Sequence, residues 1–285
     1  MKSNDYCNGA LVIFLVACLV QAPVAVAFIM GSDDRSELTA AESRTPAIRQ
    51  VGRIDIPDGG FVSGLVTGSN CDVVITAGHA AYYVEDSING DRSRGAARGN
   101  GIFRFYPEPG TDEFIVMELV SSGFQNTGQA GLDIHDWSIF RLQRPAYRDC
   151  AKIEYKSGGS GCAGGLLMPA IHFDRRNTRL VDRTCEIKDV MEGRIVVHDC
   201  DSKDGSSGAP LLCNTDTGIF VLGINISGVS QRELVDPGEY GQDSKQFDYR
   251  NHKNFALNIE GEFLDALEKE LRLSLKRKAT VLEGN

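Results

Sequence analysis

From Gln50 to Asn258 the chain alternates short apolar runs with clusters of turn residues. Runs at 61–67 (FVSGLVT), 72–77 (DVVITA), 101–106 (GIFRFY), 113–120 (EFIVMELV) and 136–142 (DWSIFRL) are rich in β-branched and aromatic residues and read as strands. A second set follows at 165–173, 180–188, 194–199, 209–213, 218–227 and 253–258. Between them lie D-G-G, G-S-N, P-E-P-G-T-D and K-S-G-G-S-G, whose Gly, Pro, Asp and Ser residues suit tight turns. Many short strands at close spacing predict an all-β fold, a closed barrel or a sandwich. The Gly- and Ser-containing stretch 156–161 marks the crossover between two halves.

Both ends break this rhythm. Lys2 opens a segment in which Ala10 to Val20 is continuously apolar and Ala25-Val26-Ala27 gives a small-x-small pattern. A run of that length is too short to span a bilayer but suits the core of a secretory signal peptide, so residues 1–27 are expected to be cleaved on export. The competing reading is an uncleaved anchor, disfavoured by the break at Pro23. Residues 28–48 are polar without a lasting apolar period and are expected to form a propeptide or a flexible arm. At the other end, Ile259, Phe263, Leu267 and Leu271 recur every fourth residue, with Leu264 and Leu275 widening the stripe and Lys276-Arg277-Lys278 closing it. That is the pattern of one amphipathic helix, residues 259–279, with basic residues at its negative end. Its apolar stripe predicts docking on the body of the protein.

Composition narrows the class. Thirty-one glycines among 285 residues, about 11 % against a usual value of about 7 %, fit a turn-rich β protein. The formal charge of −9 without a basic stripe argues against nucleic acid as a partner. Cys7 and Cys18 lie in the leader, leaving Cys71, Cys150, Cys162, Cys185, Cys200 and Cys213. An even set without a C-x-x-C pair in an exported chain reads as disulfides rather than as a metal site. Cys185 and Cys200 flank two adjacent predicted strands and are expected to pair.

The candidate chemistry begins at Gly205-Ser206-Ser207-Gly208-Ala209-Pro210. A serine hydroxyl is a weak nucleophile and needs an adjacent base together with donors for the oxyanion. Glycines on both sides of Ser207 permit a tight turn that exposes its oxygen and lets the N–H groups of Gly205 and Ser207 converge. Taken alone, such a turn is common in loops. Two further segments change its meaning. Val74-Ile75-Thr76-Ala77-Gly78-His79 places a histidine directly after an apolar strand, and Asp136 stands directly before another, Trp137-Ser138-Ile139-Phe140-Arg141-Leu142.

Together these three segments resemble the trypsin-like, chymotrypsin-fold serine peptidases. Thr76-Ala77-Gly78-His79 is similar to that family's T/S-A-A-H, Asp136 to Leu142 to its D-I-A-L-L-x-L, and Gly205 to Pro210 to its G-D-S-G-G-P. The likeness extends over about residues 50 to 258 and looks closest to the secreted bacterial glutamyl-endopeptidase-like branch. It implies two six-stranded antiparallel β-barrels, residues 49–146 and 147–258, followed by the C-terminal α-helix. It also implies a mechanism: Ser207 attacks the carbonyl, His79 accepts and returns its proton, and buried Asp136 orients the imidazole. Asp133 and His135 stand nearby without fitting the pattern. Cys213 occupies a half-cystine position, with Cys162 or Cys150 as its mate.

Departures from the family pattern carry information as well. Ser206 replaces the aspartate that animal members pair with a new N-terminus, and Ala80 replaces a cysteine. By similarity, Ile226, Ser227 and Gly228 bind the substrate backbone as an added strand, and Gly228 keeps the pocket mouth open. Asp201 falls where a trypsin has its pocket-floor carboxylate, which would favour Arg or Lys substrates. Asn225 stands where glutamate-specific members place a histidine. The expectation is thus an exported serine endopeptidase, secreted or periplasmic, acting on protein or peptide substrates without metal or cofactor. The alternatives are a catalytically silent module of the same fold that binds peptides, and a hydrolase of esters.

Overall fold

The computed structural model describes residues 29, 32–57, 59–82, 101–124, 134–156, 162, 165–216, 218–228 and 254–283. Strands β1 (Ser36–Glu37), β2 (Val51–Asp55), β3 (Phe61–Thr67), β4 (Val73–Ala77), β5 (Phe103–Tyr106), β6 (Ile115–Ser122) and β7 (Trp137–Leu142) make up the first half. The second contains β8 (Glu154–Tyr155), β9 (Leu166–Ile171), β10 (Arg179–Asp182), β11 (Ile187–Met191), β12 (Ile195–His198), β13 (Pro210–Thr215), β14 (Gly218–Gly228) and β15 (Asn254–Asn258). The α-helices among the described residues are α1 (Pro46–Arg49) and α2 (Gly261–Glu283).

Strands β2 to β7 close into an antiparallel barrel in the order β2-β3-β4-β7-β6-β5. Five of these strands coincide with apolar runs. The sixth, β2, reads Val-Gly-Arg-Ile-Asp, and its two charges hide the period that Val51 and Ile54 carry into the core. Its glycine is required by packing, because a Cβ on Gly52 would lie 2.3 Å from the Phe105 ring. The remaining strands form a nine-stranded sheet ordered β1-β10-β9-β13-β14-β15-β12-β11, with β8 parallel beside β14. The all-β class with a C-terminal helix is the one expected. The second sheet gains members because β1 comes from the N-terminal arm, β8 lies just before the crossover, and the run 180–188 divides into β10 and β11. That division falls at a corner where Asp182 accepts hydrogen bonds from the Thr184 and Asp201 amides.

One apolar core joins the two halves. Leu65, Ile75, Trp137 and Ile139 of the barrel pack in the same cluster as Val197, Val221, Ile224 and Phe255 of the second sheet and Phe263 and Leu267 of α2. Burying each large side chain of this kind contributes roughly 1.5 to 3 kcal/mol, so the junction itself adds to the stability of the fold. Three cystines add cross-links: Cys71–Cys150, Cys162–Cys213 and Cys185–Cys200. The expected Cys185–Cys200 pair is present, and the mate of Cys213 is Cys162.

The stretch 28–48, expected as a propeptide or a flexible arm, is packed along its described part. β1 pairs with β10, and the Arg35 guanidinium, 1 % exposed, bridges Asp33 and Asp174. A polar composition conceals this docking because its contacts are ion pairs and backbone bonds rather than an apolar face. Helix α2 docks as expected but on a different stripe. Phe263 and Leu267 are buried, whereas Leu275 is 58 % exposed and Glu270 and Ser274 are buried in its place. Glu270 meets Arg141, and Ser274 donates to Asp72, so partners on the barrel satisfy this polar half of the buried face. Among the described residues no helix is long and apolar enough to cross a membrane. The expected leader, 1–27, lies outside the described residues, as do Asp133 and most of the 156–161 crossover.

Candidate active site

β4 and β7 are direct neighbours in the barrel, with Ala77 paired to Trp137. The chain leaves β4 in a single 3-10 turn, Gly78–Ala81, that carries His79, and it enters β7 from Asp136. The two side chains therefore emerge from adjacent strand ends. Asp136 is buried, and its carboxylate grips the histidine twice: Oδ1 accepts from the His79 backbone N–H at 2.7 Å, and Oδ2 lies 2.8 Å from Nδ1. Holding both ring and main chain fixes the imidazole's direction and leaves Nε2 as the free nitrogen. Gly78 makes this approach possible, since a Cβ there would lie 2.7 Å from the Trp137 nitrogen and 3.0 Å from the Asp136 carbonyl carbon. Burial alone would push the His79 pKa down. The charge of Asp136 and its hydrogen bond outweigh that and hold it above the ordinary histidine value.

Ser207 arrives from the other sheet, on the turn before β13. Gly205 and Gly208 both have positive φ, 96° and 79°, the region glycine adopts without strain. The turn is sewn onto the barrel. The Ser63 amide on β3 donates to the Ser207 carbonyl at 2.8 Å, and the Ser63 hydroxyl donates to the Gly205 carbonyl at 2.9 Å. Gly208 lies so close to the end of β4 that a Cβ would fall 2.0 Å from Thr76 Oγ1 and 2.9 Å from the Ala77 nitrogen. The serine turn thus rests against the strand end from which His79 departs. Among the described residues the Ser207 hydroxyl makes no hydrogen bond to His79. Such contacts are commonly loose without substrate and tighten in the reacting complex.

The turn amides divide into two groups. Those of Ser206, Gly208 and Ala209 donate to the carbonyls of Lys203, Asn225 and Ser206. Those of Gly205 and Ser207 make no hydrogen bond among the described residues, which leaves two donors available on the turn. Beneath it, Asn225 is 1 % exposed and donates through Nδ2 to the Ser206 carbonyl and hydroxyl. Its Oδ1 lies 3.2 Å from His198 Nε2, and burial pushes that histidine down to about 4, so it is neutral.

The proposed substrate strand also has a definite geometry. β13 pairs with β14 only as far as Ile224, whereas β15 accompanies β14 to Gly228. Beyond Asn225, the edge of β14 next to the serine turn is therefore unpaired by strand among the described residues. Ile226 is buried in the core, so only its backbone could serve a ligand. Asp201 does not present an open pocket floor. It is 2 % exposed, and its Oδ2 accepts the Asp34 amide of the N-terminal arm at 2.7 Å. The arm thus engages one oxygen of the carboxylate that the trypsin position suggested for substrate. Ser63 is the residue that sequence reading missed; its one trace is a polar side chain within the apolar run FVSGLVT. No group of metal-ligating side chains occurs among the described residues.

Barrel, second sheet and C-terminal helix, with a His–Asp pair and a serine turn meeting at their junction, define a chymotrypsin-like fold. Neither a protein-family model nor a curated protein sequence matches the chain. A solved Glu endopeptidase, in complex with MPD, superposes with a TM-score of 0.61 over 86 % of this chain and 99 % of that one, at 14 % identity. The Rv3671c protease in its inactive form aligns with a TM-score of 0.47 and 16 % identity, over 82 % of this chain and 97 % of that one. A thermostable serine protease from an extremophilic microorganism gives 0.48 and 17 %, over 74 % and 91 %. At 14 % identity the likeness to the Glu endopeptidase is one of fold.

Proposed function

We propose that this chain is an exported serine endopeptidase in which Ser207, His79 and Asp136 form the triad. The observation that carries the reading is the double grip of Asp136 on His79, at the strand end against which the Ser207 turn is packed. In the proposed reaction Ser207 Oγ forms a bond to the substrate carbonyl carbon as its proton passes to His79 Nε2. Asp136 stabilises the imidazolium, and the Gly205 and Ser207 amides receive the oxyanion. The C–N bond then breaks, the amine leaves with the proton from His79, and water releases the acyl group by the same steps. The unpaired edge of Ile226, Ser227 and Gly228 takes the substrate main chain as an added strand.

Export is supported by the three cystines, which persist in oxidising compartments. A preference for Arg or Lys is not part of the proposal, because Asp201 is engaged by the arm. Incubation of the mature protein with a peptide library, its products sequenced, tests the reading. Internal cleavage that disappears in Ser207→Ala supports an endopeptidase. Retained peptide binding without any cleavage would instead establish the silent binding module.

A further inference from the structure

Helix α2 touches the barrel at the two strands that supply the proposed histidine and aspartate. Near its C-terminal end, Ser274 and Arg277 both bond to Asp72, the residue leading into β4. In its middle, Glu270 pairs with Arg141 of β7 at 3.3 Å. At its start, the Phe263 ring stacks on Trp137, the residue following Asp136, with centroids 5.0 Å apart and planes within 6°. Both rings are buried. Gly123 also packs directly on the indole, where a Cβ would lie 2.3 Å from Trp137 Nε1. Trp137 is held by its backbone too, donating to the His135 carbonyl and accepting from the Gly123 amide and the Ser122 hydroxyl.

A cavity of about 490 Å³ adjoins this joint, bordered by Ile134, His135, Trp137, Asn258 and Phe263. Its presence decides what the stack does. An indole packed on all sides would stay in place without Phe263; one beside open volume is free to shift into it and to strain the short backbone link to Asp136. We propose that Phe263 is a positioning residue, holding Asp136 against His79 by clamping Trp137 against Gly123. This rests on the triad reading above and adds that the C-terminal helix belongs to the catalytic apparatus. Asp136 and His79 face one another at the joint, with His135 beside them and Glu262 of α2 3.7 Å from His135. Arg194, Glu260 and Asp265 border the same cavity.

Three variants of the full mature chain test the proposal. Phe263→Ala removes the clamp, and Phe263→Tyr restores a stacking ring. Leu267→Ala truncates an equally buried residue one turn further along the helix. Phe263→Ala is expected to lower kcat by about tenfold or more with KM within about twofold, since small misplacements of catalytic groups are costly. The acid limb of its kcat/KM profile moves to lower pH, because a displaced carboxylate supports the imidazolium less. The downfield proton resonance of the His79 Nδ1–H moves upfield in parallel, and a His135→Gln background assigns both signals to His79. Phe263→Tyr should return all three readouts to wild type, and Leu267→Ala should lower Tm without moving the limb or the resonance. Equal behaviour of Phe263→Ala and Leu267→Ala, with limb and resonance unmoved, would overturn the proposal. If Phe263→Ala does not fold, Phe263→Leu keeps apolar bulk without the stack and is read the same way. A wild-type protein without hydrolase activity would refute the triad reading instead, while the resonance would still decide the role of Phe263.

Discussion

His79 and Asp136 issue from neighbouring strands of one closed barrel and are joined by two hydrogen bonds; Ser207 comes from another sheet, on a turn bonded to Ser63 and packed against Thr76 at the end of β4. The first arrangement is local: strand pairing places the partners, and a buried carboxylate does the rest. The second is long-range, depending on how barrel and second sheet pack across their shared core. In the proposed triad, orientation and charge hold the base, while steric fit across the junction sets the nucleophile's place. Changes on the barrel side should alter titration; changes on the serine side should alter geometry and leave titration intact.

The largest separation comes from Ser207→Ala, expected to lower kcat by on the order of 10⁶ while the His79 resonance and its titration stay in place. Steady-state hydrolysis and proton NMR on one sample check both parts. Asp136→Asn should lower kcat by roughly 10⁴, since an amide favours the wrong imidazole tautomer. Unlike the serine variant, it should also shift the titration of His79 downward. Gly208→Ala probes the steric half. Its φ of 79° and the 2.0 Å approach to Thr76 Oγ1 force the turn off β4, and kcat should fall by about 100-fold with the pH profile unchanged.

The titration has a definite sign. Protonated His79 cannot accept the serine proton, so kcat/KM should rise with pH through a midpoint above the ordinary histidine value of 6.5, losing about tenfold per pH unit below it. Stability linked to this group runs the opposite way. A raised folded-state value means the ion pair stabilises the fold fully below the unfolded value, and that contribution is lost as pH rises through the raised one. Thermal unfolding from pH 5 to 8 alongside the activity profile would show the two trends crossing. The smallest effect is expected at the arm. Arg35→Ala leaves Asp33 and Asp174 partly exposed and should cost about 1 to 2 kcal/mol, a few degrees in Tm, with little change in kcat.

Much of this contrast was legible in the chain. β3 runs over the predicted residues 61–67, and the apolar runs before His79 and after Asp136 are β4 and β7, so strand pairing alone brings those two side chains together. The serine turn announced itself through its glycines, whose positive φ is a local property. Where meaning depended on a distant partner, the chain was silent. Asp201 carries the same carboxylate whether it faces a substrate or the Asp34 amide, and only the folded arm decides. β2 escaped because Arg53 and Asp55 interrupt its period at half-buried positions. The buried stripe of α2 turned from Leu275 to Glu270 and Ser274 because Arg141 and Asp72 wait on the barrel.

In the proposed site an ordinary hydroxyl is made reactive by a base lodged on the neighbouring barrel. Treatment of the mature protein with a fluorophosphonate across pH 5 to 8, followed by mass spectrometry of the labelled peptide, tests it most directly. One adduct is expected, on Ser207, forming at a rate that rises with the deprotonation of His79 and vanishes in His79→Ala. No adduct, or one on Ser207 whose rate ignores both pH and His79, would contradict it.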